Sequence, residues 1–330
     1  MNNCRILDCT LREYFSYLPT LTPKEVNNLH AHIATTGIDY IECGHLRNKN
    51  LCETVLMQED IRAFDDFIGS SNQKCLVIMD INRFDINKLP VYSNGIINCI
   101  RLCFKHSELS IVPQIANAII EKGYDLFIQH VDYIGYCSDE IINFLLIVNN
   151  LNPVSYCVVD TFGHISVLDL DEIINTISKG INEGISLGFH GHNNIMMANA
   201  LNICFAESTK LQNRMRIIDS SFLGLGRGAG NANTEIMLNH FKPETLESAI
   251  KCADYLVSFL HSEHYKRQFA YFITGIFDAH SFIADKLLAQ GVNLFELFYA
   301  LQHCKSSDLK GYNDVIISNL LSSISYLEEL

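Results

Sequence analysis

The chain has 330 residues, 48% hydrophobic and 18% charged, enough apolar side chain for a large core and too much for a disordered chain. Lys and Arg number 24 against 37 Asp and Glu, and the net charge of −13 excludes the broad basic field that nucleic acid requires. No apolar run reaches the roughly 20 residues of a membrane span. The N-terminal MNNCR lacks a signal-peptide pattern. Twelve cysteines with no C-x-x-C pair read as reduced thiols of a cytoplasmic protein.

Short apolar runs rich in β-branched residues alternate with helical patterns. Strands are expected at residues 4–11, 38–43, 75–81, 96–104, 124–131, 155–160, 186–190 and 216–223. After the first, Thr22-Pro23-Lys24-Glu25 is a capping box with Pro at the first helical position, and the helix it starts stops at Gly37. Helices at 139–149, begun by Ser138 with Asp139 and Glu140, and at 169–181 separate later strands. Strands joined by crossover helices pair in parallel. Eight such units in roughly 235 residues match a (β/α)8 TIM barrel. A doubly wound open sheet is the rival, and the count of eight favours the barrel. After Asn239 only helical patterns remain, at 243–260, 271–289, 294–303 and 315–330, with a break at Lys310-Gly311-Tyr312-Asn313. The expected division is a barrel domain over 1–240 and a C-terminal helical domain over 241–330.

In a parallel barrel the active site lies at the carboxyl ends of the strands. Polar groups crowd those ends: Asp8 to Glu13, Glu42 to His45, Asp160 to His164, His190 to Asn194, and the Gly-rich stretch from Gly224 to Asn231. His190 and His192 sit two apart in an extended segment, so their imidazoles share a face and can share a metal ion, with Gly191 leaving room for ligands. The alternative is a pair of strand-end histidines bonded to nearby backbone. Arg12 suits a carboxylate or a developing enolate, and Glu13 a metal shell, against the plainer reading of a surface ion pair. Gly224-x-Gly226-x-x-Ala229 fits a dinucleotide fingerprint but falls in the last unit rather than the first. It reads better as a loop that lets backbone approach a ligand, with Asn231 facing the site. His261 and His264 share a helical face and read as solvent-exposed, whereas His30 and His32 do not share one.

Taken together these segments resemble a known superfamily. Ile6 to Arg12 (ILDCTLR) resembles the first strand of the DRE-TIM metallolyases, the HMGL-like or pyruvate-carboxylase-like proteins. Gly188 to Asn194 (GFHGHNN) is similar to their metal-binding seventh strand. GLGRGAGNANTE from Gly224 to Glu235 is similar to the loop after the last strand, in the 4-hydroxy-2-oxovalerate aldolase branch above all. Asp160-Thr161-Phe162-Gly163 and Gly37 to Glu42 match the sixth and second strands. The resemblance implies one divalent ion, Mn2+ or Mg2+, held by Glu13, His190 and His192. It implies enolate stabilisation by Arg12, with Thr161 near the substrate and Asn231 near the metal. It also implies a small-molecule 2-oxo acid and an aldehyde as reactants of an aldolase working through a pyruvate enolate. A Claisen-type acyl-CoA lyase or synthase, and a non-catalytic binding or scaffold member, are the other readings. The C-terminal helices would serve a homodimer or a dehydrogenase partner. Two departures stand out. Arg12-Glu13-Tyr14 replaces the family's Arg-Asp-Gly, and the catalytic His that follows that Gly is missing, with Tyr14, Ser16 and Tyr17 in its region. His45 and His164, at strand ends, are the candidate substitutes.

Overall fold

Eight parallel strands close on themselves. They are β1 (Cys4–Asp8), β2 (Tyr40–Leu46), β4 (Lys74–Asp80), β5 (Ile97–Phe104), β6 (Asp125–His130), β7 (Ser155–Asp160), β8 (Ser186–Gly191) and β9 (Arg216–Ser220), and the two-residue β3 (Met57–Gln58) borders β2. Each barrel strand pairs with its neighbours, and β1 pairs with both β9 and β2. That double pairing makes the sheet a TIM barrel and removes the open-sheet rival, which would leave two free edges. The computed structural model describes residues 3–14, 21–69, 72–260 and 262–325. Ser16, Tyr17 and His261 lie outside the described residues.

The crossover helices start where the sequence caps them. In α2 (Pro23–Ala34) the Thr22 hydroxyl accepts the Glu25 amide and the Glu25 carboxylate returns to the Thr22 amide, at 3.3 and 2.8 Å. Helices α3 (Val112–Glu121), α4 (Ser138–Leu151), α5 (Val167–Gly180), α6 (Ala198–Glu207) and α7 (Thr234–Phe241) follow β5, β6, β7, β8 and β9. The first strand is shorter than expected. It ends at Asp8, and residues Thr10–Tyr14 form a short helix, α1. The Asp8 carboxylate draws the chain out of the sheet by accepting from the Thr10 amide at 3.0 Å and the Thr10 hydroxyl at 2.9 Å. The last strand likewise ends at Ser220, where the Phe222 amide turns to the Thr10 hydroxyl at 2.8 Å.

Alternation along the strands builds the barrel interior in layers. Leu7, Cys9, Tyr40, Leu76, Cys99, Phe127 and Ile217 pack in one buried cluster. Two residues further along three of these strands, on the same inward face, stand Glu42, Arg101 and Asp219. One bulge breaks the alternation. Against β4, Glu42 faces Leu76 but His45 faces Ile78, so three steps on β2 oppose two on β4. His45 is thereby turned to the face that Glu42 occupies. Gly44 permits the bulge, because a Cβ there would lie 2.3 Å from the Leu56 carbonyl oxygen, the acceptor of the His45 amide.

The chain forms two compact units, residues 1–243 and 244–330. The second is all helical, with α8 (Leu246–Leu260), α9 (Glu263–Ile276), α10 (Phe282–Leu288), α11 (Leu294–Gln302) and α12 (Asp314–Ser325). Its centre is α11, capped by Asn293 with Glu296, whose Leu294, Leu297, Ala300 and Leu301 are fully buried. The helix expected at 271–289 is broken between α9 and α10, where Asp278 adopts φ 52°. No helix among the described residues is long and apolar enough to cross a membrane.

Candidate functional site

The inward layer above the apolar cluster is ionic. Arg101 on β5 grips Asp219 on β9 through both carboxylate oxygens, at 2.5 and 3.0 Å, and its Nε lies 3.4 Å from Glu42 on β2. All three side chains are at most 1% exposed. Burial alone would favour protonated Asp219, yet the charge of Arg101 and the hydrogen bond from His190 hold it down at about 2. Glu42 also accepts from Arg12 Nε at 2.6 Å, and Arg12 Nη1 pairs with Glu13. Arg12 Nη2 is buried without a hydrogen-bond partner. Arg12 is therefore not the surface ion pair that its sequence neighbourhood allowed.

The two histidines stand at the end of β8 with ring centroids 4.9 Å apart. His190 Nδ1 meets Asp219 Oδ2 at 2.9 Å, and His192 Nδ1 meets the Asp160 carbonyl oxygen at 2.7 Å. Both partners accept only, so each Nδ1 carries a proton and each Nε2 points away from these partners. That is the tautomer a metal-ligating histidine needs, held by an outer partner. Burial, then the neighbouring His190, pushes the His192 imidazole down to about 3, so it stays neutral. Gly191 does not open the site to ligands. A Cβ on it would meet the Phe189 and Asn202 side chains at 3.2 and 3.3 Å, on the face turned toward α6.

Glu13 stands apart from this pair. The groups of described residues whose ligand atoms all lie within 4.8 Å are Cys9–His190–Asp219 and His30–Cys43–Cys75, and neither includes Glu13 or His192. The donor chemistry still suits a divalent ion: two imidazoles have their Nδ1 atoms engaged, which leaves Nε2 for a ligand, and a carboxylate stands one residue from Arg12.

Thr161 uses its hydroxyl oxygen to accept the Asp132 amide at 2.6 Å, fixing a turn in which Asp132 adopts φ 52°. Asn231 bridges to His192 in antiparallel fashion and donates from Nδ2 to the Leu225 carbonyl at 2.9 Å, leaving its buried Oδ1 without a partner. The Gly-rich loop folds that tightly because of Gly230, where φ is 84° and a Cβ would lie 2.1 Å from the Gly224 oxygen. His45 Nδ1 is 3.0 Å from Arg47 Nη2. A guanidinium only donates, so Nδ1 accepts and His45 Nε2 bears the proton. His164 is half exposed, 3.8 Å from Asp160 Oδ1.

The sequence reading missed the connected roles of Glu42, Arg101 and Asp219. Their signal was present as a lone Arg in IINCIRLCF and a lone Asp in RIIDSS, each inside an apolar strand. Buried charges are rarely solitary, so two of opposite sign at inward positions invite pairing.

Comparisons with known proteins agree with this geometry. Residues 109–256 match the family model HMGL-like. The chain is 24% identical over 245 residues to an oxaloacetate decarboxylase of Mycobacterium tuberculosis, covering 71% of this chain and 68% of the relative. It is 29% identical over 225 residues to a 4-hydroxy-2-oxovalerate aldolase of Bacillus cereus, covering 66% of this chain and 63% of that one. The HMG-CoA lyase of Brucella melitensis has a similar fold, with a TM-score of 0.62 at 14% identity over 78% of this chain and 99% of that one. The HMGL-like match lies across the later strands of the barrel, and the chain is similar there to proteins of the DRE-TIM class.

Proposed function

We propose that the chain is a divalent-metal-dependent aldolase that cleaves or forms a carbon–carbon bond through a pyruvate enolate. The observation that carries this reading is the pair of imidazoles on His190 and His192, each held at Nδ1 by an accepting partner. The names of the relatives support the same intermediate. Retro-aldol cleavage of a 4-hydroxy-2-oxo acid and loss of CO2 from oxaloacetate both leave pyruvate enolate.

A divalent ion, Mg2+ or Mn2+, held by His190, His192 and Glu13 would supply Lewis-acid polarisation of the 2-oxo acid. The protein's own groups do the rest. Arg12, fixed by Glu42, offers its unpaired Nη2 to the developing enolate oxygen. In the cleavage direction the C3–C4 bond breaks, its electron pair enters the enolate, and the 4-hydroxyl proton leaves to a base. His45 presents an N–H, so we assign it as a donor to the aldehyde oxygen instead of that base. Thr161 and Asn231 border the substrate. We further infer a cytoplasmic enzyme, with residues 244–330 as the surface for a homodimer or a dehydrogenase.

The test is pyruvate methyl-proton exchange in D2O followed by NMR, with Mg2+ or Mn2+ and with EDTA. Metal-dependent exchange that His190→Ala removes supports the reading. No exchange with metal bound points to acyl-CoA chemistry, and no exchange without bound metal points to a non-catalytic member.

A further inference from the structure

The aldolase reading leaves the acceptor open, and the mouth of the barrel bears on it. Arg47, just beyond β2, is 7% exposed along its side chain. Its Nη2 donates to His45, its Nη1 lies 2.9 Å from Asp80 Oδ2, and its buried Nε has no hydrogen-bond partner. Arg83, just beyond β4, lies 3.9 Å from the same Asp80 oxygen. Its backbone carbonyl accepts the Asn48 amide at 2.8 Å, tying the two segments together. Arg227, on the Gly-rich loop after β9, is exposed and has no ion pair among the described residues.

These side chains follow the carboxyl ends of β2, β4 and β9, at one mouth of the barrel. Burial first, then the charges of Arg47, Arg12, Arg227 and Arg83, push the His45 imidazole well below its ordinary value. Glu42 and Glu13 neutralise Arg12, whereas Arg47 and Arg83 have Asp80 between them and Arg227 has no ion pair among the described residues. The surplus of positive charge sits in a chain of net charge −13. Every polar group of these three guanidiniums is a donor. A buried guanidinium nitrogen without an acceptor is costly, and a bound oxyanion removes that cost.

We infer that the acceptor half of the substrate carries an oxyanion of its own, a carboxylate or a phosphate ester, received by Arg47, Arg83 and Arg227. The inference rests on the aldolase reading and narrows it. In the condensation, pyruvate loses a methyl proton, its C3 bonds to the aldehyde carbon, and the carbonyl π pair moves to oxygen, which takes up a proton. No oxidant or further reactant is needed. The remote charge orients the aldehyde and raises its local concentration at the mouth.

The experiment compares kcat/KM of the full chain, with pyruvate and Mg2+ or Mn2+, for glyceraldehyde 3-phosphate, succinic semialdehyde and propionaldehyde. At least a tenfold preference for one of the two anionic aldehydes over propionaldehyde is expected, and whichever leads identifies phosphate or carboxylate. Arg227→Gln, an exposed change that does not threaten folding, should lower kcat/KM for the preferred anionic aldehyde at least tenfold more than for propionaldehyde, mainly through KM. Equal use of the neutral aldehyde, or equal losses in the variant, overturns the inference. Should pyruvate exchange be absent, the aldolase reading fails by itself. Calorimetric titration with phosphoglycolate and with succinate then decides the oxyanion site: binding that Arg227→Gln weakens tenfold supports it, and binding that is absent or unaffected overturns it.

Discussion

Replacing Asp219 by Asn tests the ionic layer most directly. Asp219 neutralises Arg101 through two short hydrogen bonds and holds the His190 tautomer through a third, at 2.9 Å. Both partners are buried, so the substitution leaves a guanidinium in the barrel interior with only Glu42 Nε-side contact at 3.4 Å. Breaking a buried pair from one side costs about 3–5 kcal/mol. Asn keeps one accepting oxygen, which places the expected loss near ~3 kcal/mol, a large share of a typical total of about 5–15 kcal/mol. Urea unfolding reads this as a lower midpoint at unchanged slope. Adding Arg101→Met removes the stranded cation, so the double variant should be more stable than the sum of the single losses by about 2 kcal/mol. Imidazole nitrogen NMR should show His190 losing its single tautomer. A loss below about 1 kcal/mol, or strict additivity, would refute the account of Asp219 as the charge that Arg101 and His190 depend on.

Other expectations follow from the same geometry. Burial pushes Glu235 up to about 7, opposed by hydrogen bonds from Asn233 and the Leu223 amide, so the folded chain holds a proton that the unfolded chain gives up above about 4.5. Stability should therefore fall as pH rises through that window, by ~3 kcal/mol, and level off above it. Glu235→Gln should remove this contribution in pH-dependent urea titrations, leaving one of similar size at lower pH from Asp8, which burial raises to about 6. Gly44→Ala should cost about 2–4 kcal/mol, because its Cβ meets the Leu56 oxygen at 2.3 Å and backbone must move; an unchanged thermal midpoint would contradict the bulge. Arg12→Lys should lower pyruvate exchange more than tenfold with Mn2+ binding retained, since an ammonium cannot serve Glu42, Glu13 and the enolate together. His192→Ala should abolish tight Mn2+ binding in an electron paramagnetic resonance titration while leaving the barrel folded.

The eight strands were legible because each is a β-branched run bounded by turn or capping residues, as with the box at Thr22 to Glu25. The boundaries that moved were set by distant partners. Nothing in CRILDCTL announces a stop at Asp8; the stop comes from its own carboxylate on Thr10 and from Cys9 donating to Ser220. The break at Asp278 carries no proline. At the site, the H-x-H pair was visible as a local pattern, and its local spacing was enough to place both rings on one face. The pairing of Arg101 with Asp219 spans 118 residues and that of Arg12 with Glu42 spans 30, so neither leaves a short motif. The inward turn of His45 depends on a bulge whose acceptor is Leu56, eleven residues on, which alternation alone would place on the opposite face.

Closure between β1 and β9 also shapes how the nascent chain lives before it is finished. Cys4 pairs with Arg216 and Asp8 with Ser220, while β2 offers β1 only Leu7 and Asp8 as partners. At a translation rate of about 5–20 residues per second, β1 waits on the order of 10–40 s for its second neighbour to emerge. Through that interval one edge of an apolar strand stays open to other chains. The growing protein thus depends on whatever covers that edge at the ribosome, and slowing synthesis between β8 and β9 should raise the fraction lost to aggregation.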